Sequence, residues 1–189
     1  MRIVAGTFRG RPLVAPKGHS VRPTAERARQ AMFNILEHAA WSPGVEDARV
    51  IDLFAGAGGL GLEAISRGAA FCRFVELDET ALGAIRANAA SLGVADKVAI
   101  DRRDGARLSA RPIGGQPPFD LAFVDPPYGK GLGETALRAL ASGGWLEPGA
   151  IVVLERGWRE GAETPEGYGL LDERLWGAAR VSFLRYSGA

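Results

Sequence analysis

The chain has 189 residues, of which 47% are apolar, and carries 23 Lys and Arg against 22 Asp and Glu. This length permits one full domain with a sizeable core and excludes two large domains. The single Cys excludes an intrachain disulfide, and with only two His the usual zinc sites are excluded as well, so we expect no metal. The sequence has neither an apolar run long enough to span a membrane nor the long apolar stretch of a signal peptide, which predicts a soluble, cytoplasmic protein with no membrane partner.

The charged residues are unevenly distributed along the chain. Residues 1–29 hold seven basic side chains and one acidic side chain, a balance of +6 in a chain whose net charge is +1. A basic segment of this kind is typical of contact with an anionic polymer. The arginines that we predict to contact phosphates are Arg9, Arg11, Arg22, Arg27 and Arg29.

The same segment predicts a small hairpin followed by a helix. Two short runs, 2–8 and 12–15, flank a glycine-containing turn and predict paired strands. Apolar residues at helical spacing then predict a helix that begins after an N-cap at Thr24 and ends near Trp41. We therefore divide the chain into a basic hairpin-and-helix unit, 1–42, and a main domain, 43–189.

From residue 49 onward, short apolar runs alternate with helical stretches. This alternation predicts a Rossmann-like α/β domain with a mostly parallel sheet of seven strands and helices on both faces. The last two runs are joined at Trp176-Gly177 and predict an antiparallel edge. The predicted strands are 49–54, 71–77, 97–101, 119–125, 150–155, 170–175 and 179–186, and the helices are 59–67, 79–92 and 133–141.

A glycine-rich turn follows the first of these strands. Gly56, Gly58 and Gly61 satisfy the pattern G-x-G-x-x-G, which brings backbone close to a nucleotide-like ligand but also occurs in ordinary strand-to-helix turns. Asp52 precedes the turn, where a carboxylate would repel a pyrophosphate and attract a cation. Glu76 ends the next strand, where a carboxylate can accept hydrogen bonds from both ribose hydroxyls.

The combination favours S-adenosylmethionine as cofactor, because this molecule carries an adenosine, a sulfonium and an ammonium but no phosphate. Asp104 follows the third strand, where it either accepts from the adenine amino group or is a solvated loop acid. Asp78 is expected to cap the following helix instead of contacting a ligand. The buried-strand residue Cys72 and the two His are expected to take no part in catalysis.

The most specific motif is Asp125-Pro126-Pro127-Tyr128, which an apolar strand delivers to the carboxyl edge of the sheet. An exocyclic amino group is a poor nucleophile because its lone pair is delocalised into the base. If its two N–H groups donate to the Asp125 carboxylate and the Pro126 carbonyl, the nitrogen is pulled toward a pyramidal shape and its lone pair points at the methyl donor. Tyr128 offers a ring on which a flipped base can stack. The alternative is a proline turn closed by a core tyrosine, and the chemistry needs no strong base because Asp125 or water can take the final proton.

These motifs resemble the amino-methylating class I methyltransferases, and within them the RsmD family. The resemblance to RsmD rests on Arg-Pro-Thr at 22–24 joined to the basic hairpin, on the glycine turn, and on Asn88, Asp125-Pro126-Pro127-Tyr128 and Glu155. It implies methylation of guanine N2 in bacterial 16S ribosomal RNA, free or in an assembling small subunit, with S-adenosylhomocysteine as product and no obligate protein partner. The residues 43–189 would then be the methyltransferase domain. The implied cofactor contacts are Asp52, Phe54, Gly56, Gly58, Glu76, Leu77, Asp104 and Gly105, and the catalytic residues are Asp125, Pro126, Pro127 and Tyr128.

Three other interpretations stay open on the residues alone. A DNA adenine-N6 or cytosine-N4 methyltransferase would use the same motif, since Asp-Pro-Pro-Tyr can accept hydrogen bonds from the exocyclic amine of any of these bases. A nicotinamide-dependent oxidoreductase would use the same glycines, although Asp52 argues against a pyrophosphate. A non-catalytic RNA-binding assembly factor would need only the basic segment.

Overall fold

The computed structural model describes residues 1–15, 23–112, 114–161 and 163–188. In these residues four helices surround one seven-stranded sheet, and no helix among them is long and apolar enough to cross a membrane. The helices are α1 (Pro23–His38), α2 (Gly59–Ser66), α3 (Glu79–Leu92) and α4 (Leu132–Ser142). The strands are β1 (Arg49–Leu53), β2 (Phe71–Glu76), β3 (Val98–Arg102), β4 (Phe119–Val124), β5 (Leu146–Gly157), β6 (Tyr168–Trp176) and β7 (Ala179–Tyr186).

The sheet has the order β3-β2-β1-β4-β5-β7-β6. Strands β1 to β5 are parallel, and β7 runs antiparallel to both β5 and β6. The predicted mostly parallel α/β sheet with an antiparallel edge is therefore confirmed, with β7 inserted between β5 and the edge strand β6. Because the order reverses between β1 and β4, their carboxyl ends form the edge where open α/β sheets bind ligands.

The core has one layer on each face of the sheet. Helices α1, α2 and α3 pack on one face, where Phe33, Phe74 and Phe123 are fully buried. Helix α4 packs on the other, with Leu137 and Leu140. Since Ile3, Leu13 and Phe33 share a core cluster with β1, the N-terminal segment is packed as part of the same hydrophobic core; its treatment as a separate unit remains a prediction.

The N-terminal hairpin is shorter than predicted. Only the bridge between Arg2 and Pro12 pairs the two predicted strands, and the backbone between them forms turns. The first predicted strand does not pair further because its backbone N–H groups have other partners. The N–H groups of Val4 and Ala5 donate to the Glu63 carboxylate, and the N–H of Phe8 donates to the Ser66 hydroxyl, over 2.8–3.0 Å. Residues that were predicted as a strand are thus bound to the end of α2.

Several element ends differ from the prediction. Helix α1 begins at Pro23, so Thr24 lies inside it and is not the N-cap, and it ends at His38, three residues before Trp41. Proline suits the first helical position because its fixed φ fits the helix and its missing N–H is not needed there. Strand β5 begins at Leu146, four residues before its predicted start, and its pairing to β4 is irregular between Phe119 and Leu121. Gly149 in this stretch has φ of 92°, a conformation that glycine adopts at little cost.

Candidate active site

Four carboxylates from four neighbouring strands meet at the carboxyl edge of the sheet. Glu76 ends β2, Asp52 lies one residue before the end of β1, and Asp125 directly follows β4. Val124 pairs with Leu154, so Asp125 is level with Glu155 of β5. Since side chains alternate along a strand, all four project from the face that carries α1, α2 and α3. The arrangement concentrates four ionisable carboxyl groups at this edge.

This edge is open to solvent at Gly56, Leu77 and Tyr128, and we refer to the space between these residues as the cleft. A surface cavity of about 290 Å³ lies at the opposite edge of the sheet, lined by Ala48, Asp120 and Ala150 among others. Four acids, Glu46, Asp47, Asp120 and Glu147, line that cavity as well. Asp120 there accepts from Arg49 N at 2.8 Å and so joins two strands. The carboxyl edge is the candidate site because it is where open α/β sheets bind ligands.

The glycine turn between β1 and α2 is built from residues with different constraints. Phe54 has φ of 59°, a left-handed conformation that costs a bulky residue about 1–3 kcal/mol and marks a constrained turn. Gly56 has φ of 53°, and a Cβ added there would meet nothing within 4 Å, so this glycine borders open space. A Cβ at Gly61 would lie 2.3 Å from the Phe74 ring, and one at Gly58 would touch core side chains at 3.3 Å. Only Gly56 therefore faces a region that a ligand can occupy.

Glu76 organises the turn through three backbone amides. Its Oε2 accepts from Gly56 N at 2.8 Å, and its Oε1 accepts from Leu77 N at 2.7 Å and Asp78 N at 2.9 Å. A carboxylate offers about four acceptor positions, so about one is left for a ligand hydroxyl. The prediction that Glu76 accepts from both ribose hydroxyls then requires one of these amides to be released.

Asp52 is more buried than expected for a ligand contact. It is 1% exposed and its Oδ2 accepts from Gly61 N at 2.9 Å, which fixes the start of α2 to β1. Burial raises its pKa well above the usual range, and the negative charges of Asp125 and Glu76 raise it further. The contact that Asp52 makes in this structure is therefore with the end of the glycine turn.

Three further predicted cofactor contacts lie around the cleft. Leu77 is 58% exposed at the end of β2, where its apolar side chain can pack against a ring. Asp104 is half-exposed; its Oδ1 accepts from Ala106 N at 2.9 Å, and its Oδ2 lies 3.8 Å from Arg107 Nε. Gly105 packs under Phe54, since a Cβ there would lie 3.2 Å from that ring. Asp78 caps α3 by accepting from Ala81 N, and Cys72 is fully buried, both as predicted.

Asp125 and Glu155 form a pair of like charges. Asp125 as a residue is exposed to solvent, but its carboxylate group lies among protein atoms that partly desolvate it. This partial desolvation raises the pKa of Asp125, and the charge of Glu155 raises it further. Burial likewise raises the pKa of Glu155, against the opposing effect of its hydrogen bond from Tyr128. The pair therefore holds a proton more tightly than isolated carboxylates do.

Tyr128 is fixed over the cleft by its hydroxyl group. The hydroxyl donates to a Glu155 carboxylate oxygen, and the ring is 44% exposed. Burial and this hydrogen bond raise the pKa of Tyr128, which keeps the hydroxyl protonated. The tyrosine is thus not a core residue, and its exposed ring is available for stacking. Pro126 is buried and Pro127 exposed, so the turn after β4 is anchored on one side only.

The predicted phosphate contacts divide into surface and buried arginines. Arg9, Arg11 and Arg27 are exposed, and Arg11 also donates to the Ser91 carbonyl at 2.8 Å. Arg22 lies outside the described residues. Arg29, which was predicted to contact phosphate, is 7% exposed, donates to the Arg2 carbonyl at 2.6 Å and lies 3.6 Å from Glu63, so its guanidinium is engaged within the fold. Its spacing from Met32, Phe33 and Leu36 puts it on the apolar face of α1, a signal that the sequence contained.

Two residues quoted only for the family resemblance have defined structural contacts. Asn88 is buried, exchanges hydrogen bonds with the backbone of Val14 and donates to Ala57 O at 3.1 Å, so it links the N-terminal segment to the glycine turn. Glu155 holds Tyr128, as described above. The rule that singled out Asp125, an acid at the carboxyl end of a buried strand, applies equally to Glu155 and would have found it.

Comparison with known proteins agrees with this geometry. The chain matches, over residues 1–185, the family model described as "Conserved hypothetical protein 95". It is 34% identical to "Ribosomal RNA small subunit methyltransferase D" of Haemophilus influenzae over 186 residues, 98% of this chain and 93% of the relative. The identity to the Escherichia coli protein of the same name is also 34%, over 98% of this chain and 89% of that relative. The solved structure of yhhF from Escherichia coli superimposes with a TM-score of 0.83 and 30% identity over 100% of this chain and 99% of that one. The chain belongs to the RsmD family of methyltransferases.

Proposed function

We propose that this methyltransferase transfers a methyl group from S-adenosylmethionine to the exocyclic N2 of a guanine in 16S ribosomal RNA. The observation that carries the proposal is the position of Asp125-Pro126-Pro127-Tyr128, directly beside the glycine turn on the neighbouring strand β1. Two relatives that share 34% identity with the chain carry the name of a small-subunit ribosomal RNA methyltransferase, which supports ribosomal RNA as substrate. The guanine N2 target rests on the family resemblance.

The residues of the cleft fit the proposed cofactor. Open space borders Gly56, an acceptor position remains on Glu76, and the exposed Leu77 can cover an adenine ring. Acidic side chains beside the glycine turn disfavour the pyrophosphate of a dinucleotide and suit a cationic ligand without phosphate, which speaks against the oxidoreductase interpretation. When bound, S-adenosylmethionine supplies an electrophilic methyl carbon on a sulfonium. Contacts to it at Phe54, Gly58, Asp104 and Gly105 remain predictions.

The chain's own residues would orient the target amine. One N–H donates to the Asp125 carboxylate and the other to the Pro126 carbonyl, so the nitrogen lone pair is directed out of the base plane. Tyr128 supports the base by stacking, a contact worth about 1–3 kcal/mol. Asp125 then accepts the proton that the methylated nitrogen loses. Its raised pKa makes it a better proton acceptor than an ordinary aspartate.

The exposed arginines of the N-terminal segment would bind the RNA backbone. Arg9, Arg11 and Arg27 are exposed, and Arg11 also donates to the Ser91 carbonyl. Arginine suits this task because its planar guanidinium can contact phosphate oxygens in pairs. Asn88 ties the same segment to the glycine turn. RNA contact and cofactor cleft are thereby joined through a single buried side chain.

The test is methyl transfer from labelled cofactor to separate pools of 16S RNA, assembling small subunits and DNA, followed by nucleoside identification. We expect label in RNA or subunits, released as N2-methylguanosine. Label in DNA as N6-methyladenine or N4-methylcytosine would replace the proposal with the DNA interpretation. RNA binding without transfer to any pool would favour the assembly-factor interpretation.

A further inference from the structure

We propose that Glu155 is a positioning residue of the methyl-transfer site, which fixes the ring of Tyr128 through the tyrosine hydroxyl and acts electrostatically on Asp125. This inference rests on the proposed function and deepens it. It assigns a task to a carboxylate that contacts neither cofactor nor base in the mechanism above.

The first observation is that β5 and the following segment hold the Asp-Pro-Pro-Tyr turn from one side. Tyr128 donates its hydroxyl to Glu155, and Gly129 N donates to Glu160. Gly157 lies against the ring, since a Cβ there would be 3.5 Å from Tyr128 carbons, an ordinary contact distance. The ring therefore cannot turn away from the cleft without losing a charge-assisted hydrogen bond.

The second observation is that Glu155 and Asp125 are neighbours in register. Val124 pairs with Leu154, which sets the two carboxylates side by side at the ends of adjacent parallel strands. The other groups that act on the pair and on Tyr128 are Asp52 of β1 and Glu160, and both are acidic. Arg156 does not neutralise the pair, because it points to the other face and binds Glu134 at 3.1 Å and Ser182 at 3.1 Å.

The chemical consequence concerns the proton. In the transfer, the nitrogen lone pair forms the new bond to the methyl carbon while the carbon–sulfur bond breaks and its electron pair stays on sulfur. The nitrogen is then cationic and loses one proton, which Asp125 accepts and later releases to solvent. A neighbouring negative charge makes Asp125 more basic, so Glu155 would assist this step through Asp125 without touching the substrate.

Two variants separate the two tasks of Glu155. Glu155→Gln keeps the shape and can still accept from the Tyr128 hydroxyl, but removes the charge. Tyr128→Phe removes the hydrogen bond and keeps the Glu155 carboxyl group, whose pKa rises when it loses this donor. The matched control is Glu147→Gln, which removes an exposed charge at the far end of the same strand.

The readouts are the pH dependence of kcat/KM and the titration of the Asp125 carboxyl carbon by NMR in cofactor-free protein. We expect Glu155→Gln to move the acid limb and the Asp125 titration to lower pH, by roughly one unit. Tyr128→Phe should lower kcat/KM about tenfold on the plateau at high pH, where both carboxyl groups are ionised. Glu147→Gln should change neither kcat/KM nor the Asp125 titration.

An Asp125 titration that is the same in Glu155→Gln and wild type would overturn the electrostatic part. Equal kcat/KM in Tyr128→Phe and wild type would overturn the positioning part. Failure of the proposed function is distinguishable, because wild-type protein would then transfer no methyl group while the NMR titration still reports on the pair.

Discussion

Two acidic sites in this protein use carboxylates in opposite ways. Glu63 in α2 is fully buried, and its oxygens accept from Val4 N, Ala5 N and Arg67 Nε over 2.8–2.9 Å. Asp125 at the end of β4 faces another carboxylate, Glu155, and is open to solvent. A carboxylate saturated with donors stabilises the fold, whereas one placed beside a like charge is costly to the fold and available for chemistry.

The largest effect is expected at the saturated carboxylate. Glu63→Gln should lower the free energy of unfolding by about 3–5 kcal/mol, because Arg29 and Arg67 lose their buried partner and the new amide N–H₂ faces the donors of Val4 and Ala5. Urea unfolding measures this loss. The control is Glu37→Gln, which removes the more exposed partner of the same Arg67 and should cost less than about 1 kcal/mol. Equal losses in both variants would contradict the account of how the N-terminal segment is held.

A second experiment examines what the held segment does. Arg9→Ala combined with Arg11→Ala should weaken binding to 16S RNA and reduce the slope of log K against log salt by about 1.4–1.8, the amount for two phosphates. Filter binding at several salt concentrations gives the slope. The control is Arg138→Ala, which removes an exposed arginine from α4 on the other face of the sheet and should leave the slope unchanged. If Arg138→Ala had the same effect, the N-terminal segment would not be the RNA contact.

The smallest expected effect is a gain in stability on substitution of Asp125, opposite to the loss expected at Glu63. A carboxyl group whose pKa is raised on folding holds its proton longer in the folded than in the unfolded state, so stability falls as pH rises between the two pKa values. Asp125→Asn removes this penalty. We expect Tm to rise by about 2–4 °C at pH 8, equivalent to about 1 kcal/mol after allowance for solvent screening, and to stay unchanged near pH 4.

Differential scanning calorimetry at the two pH values measures that gain. A lower Tm for Asp125→Asn at pH 8 would mean that Asp125 is a structural carboxylate like Glu63. Both acidic sites would then stabilise the fold, and the contrast between a structural and a functional carboxylate would be contradicted.

The fold was largely predictable because its signal is periodic. Alternating strands and helices in residues 49–155 predicted the parallel sheet, and the ends of α2, α3 and α4 lie within one residue of the prediction. The N-terminal hairpin was not predictable in the same way, because residues 4–8 bind Glu63 and Ser66 about 60 positions later in the chain. Local pattern carries no information on such distant partners.

The candidate site was predictable where one rule applied, that acids at the carboxyl ends of parallel strands converge. That rule found Asp52, Glu76 and Asp125. It could not tell that Asp52 is bound to Gly61 N, nor that Arg29 lies beneath the N-terminal segment, since burial depends on tertiary packing. Charge counting alone treated Arg29 as equivalent to Arg9.

The most direct test of the central claim is a single-turnover measurement with cofactor and RNA pre-bound. In Asp125→Asn the rate of methyl transfer should fall by about 100-fold or more, while the Kd for S-adenosylmethionine changes by less than about twofold, because Asp125 acts on the amine and its proton. A rate equal to that of wild type would contradict the assignment of this edge of the sheet as the methyl-transfer site.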